Sequence, residues 1–286
     1  MYADDVLISN IIKTEADCLV LQHATDKLKN WCEVNSLHLN LNKCSVMSIN
    51  RGRESIINDY TYGDHIFERV TEMKLLGVLF DKKLSFAKHI DMVTSKASAA
   101  LGFVKRFCYD IRDTRTLKSL YYALVQSHLE YCSTVWLPFH KVYKDKIESI
   151  QKQFTMFALK EYPSEQNQFR ITPYDQRLSK LGMTSLRRRR VNASMTYAYD
   201  VLNGTANCPL VRENVSFNPD RALRHSERIK VTDKHMKLNL EAPITQVCKI
   251  ANMASDTFVS SASRKQFVSS TRRLDDATFG SFCTLK

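Results

Sequence analysis

The chain has 286 residues, of which 44% are hydrophobic and 25% are charged, a composition typical of a globular protein. No apolar run approaches the roughly 20 residues of a membrane span. The eight cysteines are scattered without a Cys-x-x-Cys pair, which argues against a zinc knuckle and for a reducing, intracellular compartment, nuclear or cytoplasmic.

The net charge of +12 is distributed unevenly along the chain. Residues 1–100 carry 12 Lys and Arg against 13 Asp and Glu, whereas residues 101–286 carry 30 against 17. A basic C-terminal part suits a polyanionic partner, and a requirement for solubility explains it equally well.

The sequence opens with Tyr2-Ala3-Asp4-Asp5, two adjacent carboxylates that precede an apolar run. Adjacent like charges repel each other, and a divalent cation is their usual compensation. Two-metal phosphoryl transfer needs carboxylates that hold ions about 4 Å apart. A hairpin turn can aim neighbouring carboxylates at one point, which a straight strand cannot. The alternative is an Asp-Asp turn that is simply exposed to solvent.

The first 80 residues predict a small mixed region of helix and strand. Its predicted elements, in chain order, are a buried strand over VLISNII (6–12), a helix from Thr14 to about Asn35 with a capping box to Asp17 and an apolar face that includes Trp31, a strand or two short strands over LHLNLNKCSVMSI (37–49), a hairpin with its turn at Gly63-Asp64, and a strand through LLGVLF (75–80).

After residue 86 the apolar spacing changes to steps of three and four, which predicts amphipathic helices. They are expected over about 86–104, from 117 to near Trp136-Leu137-Pro138, from 147 to before Pro163, and over 184–203 with Gly204 as C-terminal cap. A further helix is expected over 244–258 in a polar tail. The segments 161–175 and 205–235 are the expected loose joints.

The order of these blocks resembles the reverse transcriptases of non-LTR (LINE-type) retrotransposons, especially the jockey-like group, along nearly the whole chain. YADD resembles the catalytic hairpin of the polymerase palm (motif C), and Trp31 followed by LHLNLNKCSVMSI resembles motif D. LLGVLFDKKLSFAKHI resembles the primer-grip strand (motif E) and the start of the thumb. The later blocks that are similar to the family's helices are LYYALVQSHLEYCSTVW, KIESIQKQFTMFAL and RLSKLGMTSLRRRR.

The resemblance implies an α+β fold, with a partial palm over 1–80, a helical thumb over 81–160 and a basic helical extension over 161–286. It also implies an RNA-directed DNA polymerase that uses Mg²⁺, deoxynucleotides, an RNA template and a DNA primer, with no further cofactor and no membrane. In the family, a further metal-binding aspartate and the fingers precede the YADD block, and here one residue precedes it. We therefore expect a C-terminal portion of the polymerase that does not polymerise alone.

Several residues take expected roles from the resemblance. Asp4 and Asp5 become metal-site carboxylates, Tyr2 flanks the primer end, and Lys43 lies near the incoming triphosphate, where a lysine can neutralise charge or donate a proton. Leu76-Gly77-Val78 is expected beside the primer strand. The alternative for Lys43 is an ordinary surface lysine, and the alternative for Leu76-Gly77-Val78 is a plain buried strand.

The basic and aromatic residues of the helical part have two possible uses. The run Arg187, Arg188, Arg189 and Arg190 resembles a phosphate clamp, but four consecutive helical positions cover a full turn, so at least one must face the protein. Lys105-Arg106 has the same ambiguity. The aromatic residues that could stack on bases or form core are Tyr121, Tyr122, Trp136 and Phe154. The alternative function is a non-catalytic helical module that binds nucleic acid.

Overall fold

The computed structural model describes residues 5–50, 56–161, 172–208, 215–217, 229–231, 252 and 263–273. These residues form helices and short strands, so the architecture is α+β. The chain divides into two compact units, Met1–His89 and Ile90–Lys286. None of the described helices has the length and apolar character needed to cross a membrane.

The first unit contains helix α1, Glu15–Val34, which begins at a capping box. The Asp17 carboxylate accepts the backbone N–H of Thr14 at 2.8 Å, so one acidic side chain satisfies a donor at the helix start. The predicted helix is confirmed. Its buried face is shifted from the expected one: Cys18, Thr25 and Cys32 are buried, whereas Trp31 is 49% exposed.

Short strands follow α1 and pair two at a time. They are β1 Ser45–Val46, β2 Thr61–Tyr62, β3 His65–Ile66, β4 Glu68–Arg69, β5 Glu72–Leu75 and β6 Val78–Asp81. β1 pairs with β4 in parallel, and β2–β3 and β5–β6 are antiparallel hairpins. The described strands therefore form separate two-stranded sheets and not the continuous sheet of a polymerase palm.

The β2–β3 hairpin confirms the predicted turn at Gly63-Asp64. Gly63 has a φ of +62°, a conformation that glycine adopts without steric cost. Gln22 of α1 pairs with the backbone of Thr61 in both directions: its amide donates to the Thr61 carbonyl, and its carbonyl accepts the Thr61 N–H, each at 3.0 Å. The Gln22 side chain thus makes the two backbone hydrogen bonds that a neighbouring strand would make at the edge of the hairpin.

Of two predicted strand segments in this unit, one is absent from the described residues and the other is reduced to two residues. Residues 6–12 are irregular, and Val6, Leu7 and Ile11 are exposed, because no described strand pairs with them. Within LHLNLNKCSVMSI the chain forms a 3-10 turn at Leu41–Lys43, and the one strand that follows is the two-residue β1. Asparagine favours turns over strands, which explains why leucine alternation alone predicts this segment wrongly.

The second unit is mainly helical. Its described elements are α2 Ala87–Phe107 (which begins in the first unit), α3 Thr114–Tyr121, a π-helical segment Tyr122–Gln126, α4 Ser127–Glu130, α5 Lys141–Ala158, α6 Tyr174–Leu181, α7 Leu186–Leu202, the antiparallel pair β7 Val215–Phe217 and β8 Ile229–Val231, and α8 Arg264–Arg273.

The core of this unit lies on the helical faces that the sequence predicts. The predicted apolar positions that are buried are Ile90, Val93, Ala97, Leu101 and Val104 on α2, Leu117, Tyr121, Val125 and Leu129 on the α3–α4 segment, and Ile147, Ile150, Phe154 and Phe157 on α5. These helices and α7 are confirmed, and Gly204 follows α7 with a φ of +72°. The α3–α4 segment ends at Glu130, earlier than the expected end near Trp136. The helices α6 and α8 were not predicted. The helix expected over 244–258 lies outside the described residues except for Asn252.

The loop between β6 and α2 is organised by the carboxylate of Asp81. It accepts the backbone N–H groups of Lys83 at 2.9 Å, Ser85 at 3.0 Å and Phe86 at 2.9 Å. Burial alone raises the pKa of Asp81, but these hydrogen bonds outweigh it and hold the pKa below the ordinary value. The ionised carboxylate therefore stabilises the loop.

We predict that Asp81→Ala lowers the free energy of unfolding at pH 7 by about 1–2 kcal/mol, because three backbone donors lose their acceptor. A folded-state pKa below the unfolded one means that this stabilisation is present above the unfolded-state pKa and is lost as the pH falls through the folded-state value. Urea unfolding at pH 7 and below about pH 3 measures it. The difference in free energy of unfolding between wild type and Asp81→Ala must be smaller in acid. The control Asp59→Ala, at an exposed position, must unfold with the wild-type free energy at both pH values. A loss for Asp81→Ala that is equal at both pH values contradicts the prediction.

Candidate nucleic-acid and metal-binding residues

The expected metal-site residues lie at the edge of the described structure. Tyr2 and Asp4 are outside the described residues, and Asp5 is exposed. Lys43 ends the 3-10 turn and is also exposed. In the part of the chain that the structure describes, no group of three or more His, Cys, Asp or Glu could hold a metal ion. Of the expected metal-site and triphosphate residues, the structure thus describes one accessible carboxylate, Asp5, and one accessible cation, Lys43.

The expected primer-grip residues form the end of the β5–β6 hairpin and not a continuous strand. Leu75 pairs with Val78, so Leu76 and Gly77 are the two turn residues. Both have positive φ, +45° and +83°, as a type I′ hairpin turn requires. The predicted strand through LLGVLF is therefore wrong: the chain reverses in its middle.

The turn places its residues differently with respect to solvent. The Leu76 side chain is 42% exposed at the tip, and Val78 is buried. A leucine at positive φ is strained by roughly 1 kcal/mol or more, so the rest of the hairpin must hold it there. The His89 ring contributes, since its Nδ1 accepts the backbone N–H of Leu79 at 3.2 Å. An ion pair between Lys88 and Glu72 adds a second link.

The four consecutive arginines begin in the first turn of α7, and the contacts of Arg187, Arg189 and Arg190 show how the run meets the protein. Arg190 is 4% exposed, donates to the Leu129 carbonyl at 2.9 Å and lies over the Trp136 ring. Burial lowers the pKa of Arg190 to about 10, which leaves the guanidinium charged at neutral pH. The expectation that at least one member faces the protein is confirmed.

Arg187 and Arg189 contact carboxylates at the surface. Arg189 binds Glu130 through Nε and through Nη2, the latter at 2.8 Å to Oε2. This hydrogen bond raises the pKa of Arg189 above its ordinary value. Arg187 reaches Asp145 at 3.3 Å. Arg187 and Arg189 are therefore already neutralised by acidic neighbours.

A buried carboxylate that the sequence analysis did not identify holds the start of α7. Glu148 of α5 accepts the backbone N–H of Leu186 at 3.1 Å and of Arg187 at 2.9 Å. Ser185 caps the helix by accepting the N–H of Arg188 at 3.2 Å. Tyr174 of α6 also donates to Glu148. Three of the four free N–H groups at this helix start are thereby satisfied.

Gln151, one turn after Glu148, extends this polar cluster into the core. Its side-chain carbonyl accepts the Tyr121 hydroxyl at 3.0 Å, and its amide donates to Tyr174 and to the Thr184 carbonyl at 3.1 and 3.0 Å. Burial raises the pKa of both Tyr121 and Tyr174, so the phenols stay protonated donors. Two polar residues among apolar neighbours on the predicted α5 face were the sequence signal for this cluster.

Lys105 and Arg106 lie in the last turn of α2, where positive charge interacts favourably with the helix dipole. Lys105 is partly buried, and the loss of hydration lowers the pKa of its ammonium group. Arg106 is exposed. Of the aromatic candidates for stacking, Tyr121, Trp136 and Phe154 are fully buried in the core, whereas Tyr122 is partly exposed.

A comparison of the chain with family models, with curated proteins and with solved structures finds no match.

We predict that Glu148→Ala lowers the free energy of unfolding by about 2–4 kcal/mol, because it leaves buried N–H and hydroxyl donors without an acceptor. Glu148→Gln keeps one acceptor oxygen at the same length and is the matched variant, with an expected loss of less than half as much. Thermal or urea unfolding monitored by circular dichroism measures both. Equal stabilities of wild type and Glu148→Ala would show that the cluster does not hold α7.

Proposed function

We propose that the chain is part of the RNA-directed DNA polymerase of a non-LTR retrotransposon and contributes the end of the palm, the thumb and a basic helical extension. The observation that carries the proposal is the order of sequence blocks, from YADD through L-G-V and H-I to the arginine run. Single blocks recur by chance, but several in one order are far more specific.

In the intact polymerase, Asp4 and Asp5 would hold Mg²⁺, and the ion would supply positive charge for nucleotidyl transfer. Lys43 is an exposed cation on a short 3-10 turn, suited to neutralising charge on a triphosphate. The chemistry of these side chains, two hard oxygen ligands and one strong cation, supports the proposal.

The β5–β6 hairpin supports a role against the primer strand. Its two-residue turn projects the exposed Leu76 side chain, and Gly77 has no Cβ to keep a neighbouring backbone away. Val78 is buried behind the turn, and the contacts of Glu72 and Leu79 with the start of α2 anchor the two strands. A held hairpin with an apolar tip is a suitable support for the sugar face of a nucleotide.

The 286 residues do not complete a polymerase active site. A two-metal centre needs a further carboxylate from a neighbouring strand, and YADD is the one such motif that we recognise in this sequence. The two carboxylates alone provide too few ligands to hold both ions against hydration.

We therefore predict no primer extension by the purified chain on an RNA template annealed to a DNA primer, with deoxynucleotides and either Mg²⁺ or Mn²⁺. The products are resolved on a denaturing gel. A product that disappears in Asp4→Ala and persists in the control Asp59→Ala would contradict the prediction, because it would show that these residues suffice for catalysis.

The charge distribution favours a second candidate, a non-catalytic module that grips nucleic acid through its helical part. Residues 101–286 carry 30 Lys and Arg against 17 Asp and Glu. Binding through phosphates requires only such an excess of cations, and no metal. The two candidates share the binding surface and differ in whether the chain contributes to a metal site.

We predict that the chain binds an RNA–DNA hybrid duplex and that the logarithm of the association constant falls linearly with the logarithm of the salt concentration, with a slope of about −0.9 per phosphate neutralised. Fluorescence anisotropy with a labelled hybrid across a salt series measures the slope. Binding of this kind without any metal dependence supports the module. Absence of binding at low salt would refute both candidates.

A further inference from the structure

Three aromatic side chains are exposed together at the C-terminal end of α2. Phe103 is 47% exposed, Phe107 is 71% exposed and Tyr109, just beyond the helix, is 65% exposed. Phe103 and Phe107 are one turn apart, and their ring centroids are 4.4 Å from each other. Large apolar side chains clustered in solvent mark an interaction site more often than isolated ones do.

The aromatic side chains are accompanied by positive charge. Lys160 donates to the Tyr109 carbonyl at 2.7 Å, and its ammonium group lies 5.3 Å from the centroid of the Tyr109 ring. Arg106 is exposed and lies between the two phenylalanines in sequence. Residues 101–120 carry five Lys and Arg against two Asp. A purely apolar partner does not require such cations, whereas a phosphate backbone does.

We propose that this aromatic-basic surface, formed by Phe103, Arg106, Phe107, Tyr109 and Lys160, binds single-stranded nucleic acid by stacking unpaired bases on its rings. The proposal rests on the proposed function and deepens it, because it assigns the single-stranded part of the nucleic acid to a specific surface. Bases expose their faces for stacking only where they are unpaired, so a duplex gains little from these rings.

The surface differs from the aromatic residues that sequence spacing singles out. Tyr121 and Phe154 stack on each other with centroids 4.1 Å apart and are fully buried, so they are core. Phe103 and Phe107 lie off the buried α2 face defined by Leu101 and Val104. A helix that places two phenylalanines on its solvent side departs from the pattern that packing alone produces.

The test compares wild type with the double variant Phe103→Ala/Phe107→Ala on a labelled single strand of about 20 thymidines and on a duplex of about the same length, lengths that exceed one stacking site. We expect the variant to lose at least about tenfold in affinity for the single strand. Duplex affinity is expected to change less than twofold, and the salt dependence of single-strand binding stays the same because no cation is removed. Fluorescence anisotropy gives the affinities, and circular dichroism confirms that the variant is folded.

Three single variants separate stacking from apolar contact. Phe107→Trp keeps an aromatic face and is expected to retain single-strand binding, whereas Phe107→Leu keeps apolar area without the face and is expected to weaken it. Val142→Ala on α5 removes an equally exposed apolar group, 73% exposed, and is expected to have no effect.

The proposal is overturned if the double variant binds the single strand as wild type does, if single-strand and duplex affinities fall equally, or if Phe107→Leu behaves as wild type. Wild type that binds the duplex but not the single strand refutes the stacking surface alone. Wild type that binds neither refutes the proposed function together with it.

Discussion

The start of α7 depends on one buried carboxylate. An α-helix begins with unpaired N–H groups and the positive end of its dipole, and four arginines placed there add further positive charge. Glu148 of α5 offsets this positive charge by accepting two of the N–H groups from inside the core. Asp145, also on α5, pairs with Arg187. Without the two acids of α5, the arginine run would be an unfavourable helix start.

The same contact determines which arginines point inward. With α7 fixed against α5 at Leu186 and Arg187, Arg190 lies about one turn further along and faces the core, where it meets the Leu129 carbonyl and Trp136. Arg189, its neighbour, is directed to the surface and reaches Glu130. A buried arginine is tolerated because a carbonyl and an aromatic face replace part of its hydration.

The segment that supplies Leu129 and Glu130 has an unusual apolar spacing. Leu117, Tyr121, Val125 and Leu129 are all fully buried and recur strictly every fourth residue. A regular α-helix has 3.6 residues per turn, so a strict step of four drifts around the helix. The π-helical segment Tyr122–Gln126 widens the turn in the middle of this run and returns the later residues to the core side. The register of Glu130 against α7 follows from that adjustment.

Sequence patterns predicted the parts of the fold that local periodicity decides. The apolar faces of α2 and α5 and the capping box of α1 follow from spacing alone, because one helix face must be buried. The strand predicted over 6–12 was wrong because strand pairing is not local, and Val6, Leu7 and Ile11 are exposed there. The turn at Leu76 had Gly77 as its one signal, since leucine rarely adopts positive φ. Helix α6 has few apolar positions, and the sequence signal for it is Gly182, which ends the helix in the left-handed conformation.

The sequence predicted which residue types the candidate site contains, but not which of them are free to bind a ligand. Sequence identifies cations, yet it does not show that Arg187 and Arg189 already face carboxylates. A phosphate that approaches either guanidinium competes with a carboxylate already bound there, so the additional ion pair gains little in water. The formal charge of the arginine run therefore overstates its attraction for nucleic acid. Cations that have no carboxylate partner carry more of that attraction. Among the described residues, Lys160 is such a cation, since its ammonium group contacts the Tyr109 carbonyl and ring, and this moves the expected contact from the start of α7 toward the end of α2.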